Sequence, residues 1–116
     1  MDTSRFVILI AGLVGAAGVA LSAIAAHAGG TNVATAANFM LLHAPVLLAI
    51  GLYGHSRVLK LGAAALMIGL TLFCADLLVR HYVGWRMFPM AAPAGGLLLI
   101  GGWLIVAVSA LTMPRR

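Results

Sequence analysis

The chain has 116 residues, of which 64% are hydrophobic and only 8% charged. A soluble domain of that length needs more polar surface to cover itself, so the composition excludes an ordinary water-soluble globule. The net charge is +5, but the basic residues flank apolar runs and form no stripe with interleaved aromatics, which excludes nucleic-acid binding and points to anionic lipid headgroups.

Four apolar runs follow one another, each near the roughly 20 residues that a helix needs to cross a bilayer core. The first covers about 6–26. The leading MDTSR, this run and AHA at 26–28 carry features of a secretory signal, but the run is long for one and is read as a retained first span. One face of it carries small residues: Ala11, Gly15, Gly18, Ser22 and Ala25. The break HAGGTN supplies a glycine pair, then Thr31 and Asn32 as cap residues.

The second run covers about 33–54. It holds Asn38 and His43, expected roughly 8 Å and 15 Å below its entry surface. Pro45 removes one backbone donor and frees the carbonyl of Leu41. A short polar turn, GHSRVLK, then forces an antiparallel neighbour. The third run, about 58–79, ends in LFCADLLVRHY. Asp76 and Arg80 stand four apart with the acid first, the favoured order for a helical ion pair. A charge within a membrane costs about 2.5–3.5 kcal/mol on insertion scales, so a partner is expected. Cys74 is the single cysteine, so no internal disulfide exists and the thiol is read as a small packing group. The fourth run, about 90–112, carries Gly95, Gly96, Gly101 and Gly102, with Trp103 packing between helices, and TMPRR stops it.

The fold class is therefore an all-α membrane protein: one domain over 1–116, four transmembrane helices in an antiparallel bundle with short loops. Arg5, Arg57, Lys60, Arg115 and Arg116 share one side with the termini, against Arg80 and Arg86 on the other. That asymmetry places both termini in the cytoplasm of a bacterial inner membrane. Tyr82, Trp85 and Phe88 are read as an aromatic belt on the opposite side. His27, Asn38, Asp76 and Arg80 are expected to meet near that side, with His43 closer to the midplane.

No P-loop, serine elbow, HExxH, CxxC or acid pair occurs, so an enzyme is not expected, and no cofactor or metal is assigned. His43 is read as a neutral imidazole bonded to a neighbouring helix. A haem would need a second histidine at the same depth, which His27 and His81 do not supply.

The segments SRFVILIAG at 4–12, AAHA at 25–28, LLHAPVLLAIGL at 41–52 and PAGGLLLIGGW at 93–103 resemble the YgdD-like family of small membrane proteins. That family spans bacteria, includes a small eukaryotic transmembrane protein and has no assigned activity. Pro93, Gly95, Gly96, Gly102 and Trp103 carry the most specific part of the resemblance. Two departures stand out: a short stretch between His27 and His43, and Cys74, Ala75 and Asp76 where small hydroxyl residues are usual. The resemblance implies a multi-helix membrane protein of the bacterial inner membrane. Three functions remain open. The first is an accessory or assembly subunit packing on a larger membrane complex or on itself. The second is an oligomeric transporter or channel component using the intramembrane polar residues. The third binds haem, metal or quinone near His27 or His43.

Overall fold

The computed structural model describes residues 2–85 and 89–114. Four helices follow in order: α1 (Thr3–Ala28), α2 (Thr31–Tyr53), α3 (Arg57–Tyr82) and α4 (Ala91–Ser109), with a 3-10 turn at Ala110–Thr112. All four are long and apolar enough to cross a membrane. The protein is a four-helix membrane bundle. In hydrocarbon every backbone polar group must be satisfied internally, and helices do this within one segment.

Local chemistry sets the ends. The Asp2 carboxylate accepts a hydrogen bond from the Arg5 amide at 2.9 Å and caps α1. Gly29 and Gly30 both take positive φ, 76° and 109°, so the α1–α2 connection turns within two residues. Gly54 closes α2 in the left-handed region, donating its N–H to Ile50 O. The Ser56 hydroxyl then accepts from the Leu59 amide at 3.1 Å and starts α3. The helices outrun several of the apolar runs; α1 and α3 reach Ala28 and Tyr82 because caps and glycines, not hydropathy, stop them.

Two hairpins build the bundle. In the first, α1 lies along α2, with Gly15 facing Ala44, Gly18 facing Leu41 and Gly51 facing Ile8. In the second, α3 lies along α4, with Gly69 against Gly95 and Gly102 against Leu66. Lipid gives no hydrophobic drive for pairing helices, so these small residues let the backbones approach and gain dispersion contacts. The hairpins join through α2 and α3, where the Cys74 thiol points at Ala36 O, 3.7 Å away. Leu47 and Leu66, both fully buried, anchor the shared core.

Candidate functional site

Among the described residues the buried polar side chains are His43, Asp76 and Ser109; Ser109 donates to Val106 O of its own helix at 2.6 Å, and the other two build polar places set by helix phase. The first is at the centre of the bundle. His43 is 5% exposed, on the α2 face that also buries Ala36, Leu47 and Ile50. Its Nδ1 is 2.7 Å from Phe39 O, one turn back on α2. Its Nε2 accepts from the Trp103 indole N–H of α4 at 3.1 Å. A carbonyl only accepts and an indole only donates, so both contacts are made by one form of the ring: neutral, with the proton on Nδ1. Aromatic rings wall the site. Phe39 stacks near His43 with centroids 6.0 Å apart, and Phe73 of α3 meets Phe39 at 4.6 Å. His43 and Trp103 lie 5.7 Å apart, tilted by 57°. The imidazole of α2 thus meets α4 directly, and α3 through the Phe39 ring.

Both nitrogens of that ring are already in hydrogen bonds, so ligating a metal there would require breaking one. Among the described residues no three His, Cys, Asp or Glu side chains gather as a metal cluster.

The second place lies toward the loop end of α3. Asp76 is fully buried, and its carboxylate meets the Arg80 guanidinium at 2.7 Å. The Arg80 side chain is 28% exposed overall, but its Nε is buried and its guanidinium is turned to the buried carboxylate. The i, i+4 spacing makes this pair a product of one helix. It needs no tertiary register. Nearby, the His81 ring packs over Gly30, where an added Cβ would sit 2.6 Å from its Cε1. The α1–α2 turn is therefore held under the end of α3.

The expected cluster of His27, Asn38, Asp76 and Arg80 does not form. Asn38 is exposed, on the side of α2 opposite the line through Ala36, His43, Leu47 and Ile50. His27 is exposed at the end of α1. Depth alone suggested the grouping, but helix phase separates its members. The glycine-rich motif is likewise divided. Gly95, Gly102 and Trp103 make the contacts to α3 and α2 described above. An added Cβ on Gly96 would meet nothing within 4 Å, and Pro93 is exposed in the first turn of α4, where a missing N–H costs little. Arg86, Phe88, Arg115 and Arg116, part of the expected charge asymmetry and aromatic belt, lie outside the described residues.

Reading the sequence missed Phe39 and Phe73. The signal for Phe39 was its i−4 relation to His43, which puts ring and carbonyl on the histidine's face.

A family described as "Protein of unknown function (DUF423)" matches residues 9–96. The chain belongs to this family. The match spans α1 to α3 and the start of α4, including His43, Asp76, Arg80, Gly95 and Gly96 in this DUF423 protein, while Trp103 lies beyond it. No curated protein and no solved structure matches the chain.

Proposed function

We propose that this DUF423 protein is a non-enzymatic accessory or assembly subunit that packs against a larger complex in the bacterial inner membrane, with both termini cytoplasmic. The observation that carries the reading is how α1 is placed. Only 17% of its most apolar stretch is buried, against 44% for α3. Its outward surface includes Gly12, Ala16, Ala20 and Ala23, all exposed, and nothing lies within 4 Å of a Cβ built on Gly12. A lipid-facing helix gains nothing from such small residues, whereas a neighbouring helix can approach closely over them. The interior fits the same reading, because His43 is bonded to Phe39 O and Trp103 and so helps to hold α4 to α2.

The test is extraction of native membranes into lipid nanodiscs without detergent dispersal, followed by identification of what surrounds the chain. A larger partner at fixed stoichiometry, lost when Ala16→Leu and Ala20→Leu are combined, is the expected result. Recovery of the chain as a lone species in native lipid would overturn it.

A second reading, transport, has one specific observation behind it: the fully buried Asp76. Transport through it predicts that Asp76→Asn abolishes flux in reconstituted vesicles, and unchanged flux removes that reading.

A further inference from the structure

Asn38 is the one exposed side chain in the middle turns of α2 that carries both donors and an acceptor. It lies about 10 Å inside the start of a 23-residue helix, within the hydrocarbon depth. It has no protein hydrogen-bond partner among the described residues. Thr35, one turn earlier, can bond its own helix backbone; the longer, two-donor amide of Asn38 is not served that way. An amide left bare in hydrocarbon is costly, and intramembrane polar groups find partners on other helices.

The surroundings of Asn38 define a seam. Thr35, Asn38, Leu42, Pro45, Ala49 and Leu52 follow at alternating spacings of three and four, and all but the half-buried Thr35 are exposed. Leu42 and Leu52 are 67% and 69% exposed. This is the heptad spacing of a left-handed helix pair, and one polar residue within such a seam sets its register.

We propose that two copies of this chain pair through α2, with the two Asn38 amides bonded to each other across a two-fold axis along the membrane normal. The choice of a second copy follows from symmetry and chemistry. Such an axis keeps every residue at its own depth, so Asn38 meets Asn38. An amide is its own complement, donating and accepting at once. Leu42 and Leu52 then pack on their counterparts, and Ala49 lets the backbones draw close. The pairing surface is on α2 and borders the α1 face assigned to a larger partner, since Gly12 and Pro45 line one groove between the two helices.

The experiment is cysteine cross-linking in native membranes, in a Cys74→Ala background. Asn38→Cys, Leu42→Cys and Ala49→Cys are expected to give a disulfide-linked dimer of this chain under mild oxidation. Leu61→Cys and Leu97→Cys, exposed on α3 and α4, are expected not to. In a separate measurement by energy transfer in liposomes, Asn38→Leu is expected to weaken self-association roughly three- to fifteen-fold, with Asn38→Gln keeping most of it. Equal cross-linking at the control positions, absence of a dimer at all three seam positions, or an Asn38 adduct to a different protein would each overturn the pairing. The last result would leave the accessory role standing. Conversely, a self-dimer with no larger partner in nanodiscs would retain the pairing and remove that role.

Discussion

The two hairpins use glycine differently. Where Gly69 and Gly95 cross in the α3–α4 hairpin, backbone meets backbone: a Cβ added to Gly95 would lie 2.6 Å from Phe73 N and 2.8 Å from Gly69 O, and one added to Gly69 would lie 2.8 Å from Gly95 O, whereas Gly62 and Gly102 of that hairpin meet chiefly side chains. In the α1–α2 hairpin, glycine mostly meets side chains: Gly18 faces the Leu41 side chain at 2.9 Å, and Gly15 faces Ala44 Cβ at 3.6 Å. A leucine can change rotamer to make room, but a helix backbone cannot move without its whole segment. The Gly69–Gly95 crossing is thus the rigid contact, and the Gly15–Gly18 stretch of α1 the one that tolerates repacking.

Four substitutions test that contrast, with stability measured by unfolding in mixed micelles. Gly95→Ala is expected to have the largest effect, a loss of roughly 3 kcal/mol, because the methyl meets the fixed α3 backbone at both Gly69 and Phe73. A loss below that of Gly18→Ala would reverse the comparison. His43→Ala comes next, at about 2 kcal/mol, since it leaves a void and removes the acceptor of the Trp103 N–H. Its combination with Trp103→Phe is expected to cost less than the sum of the two, because both remove one shared bond. Gly18→Ala follows at about 1 kcal/mol, with Leu41 giving way. Gly96→Ala, next to the most sensitive position, is expected to change stability by no more than about 0.5 kcal/mol, since nothing lies within 4 Å. A large loss there would mean that the outward face of α4 is covered in the membrane.

The sequence makes the four spans legible because each is an unbroken apolar run, and the Asp76–Arg80 pair because its partners lie one turn apart on one helix. It does not reveal which way each helix faces. A soluble helix advertises its inward side by contrast with polar residues, but here lipid and core are both apolar. Gly95 and Gly96 read alike in one motif, yet one touches α3 and the other faces open space. Asn38 failed to join Asp76 for the same reason: depth can be counted from sequence, rotation cannot. The His43–Trp103 bond was hidden by distance, since its partners stand 60 residues apart on helices two and four. That His43 would bond a neighbouring helix was legible; which helix, and which donor, needed the register of both hairpins.

The indole and imidazole that meet at the centre belong to opposite hairpins, and the donor arrives two helices after the acceptor. While the chain is being inserted, the acceptor in α2 is in the bilayer well before its mate. The central pin therefore closes only when α4 is seated, and a chain cut short before residue 103 lacks the Trp103–His43 bond between α4 and α2. Until then the two hairpins meet chiefly through α2 and α3, so it is α4 that brings the polar contact of the centre to completion.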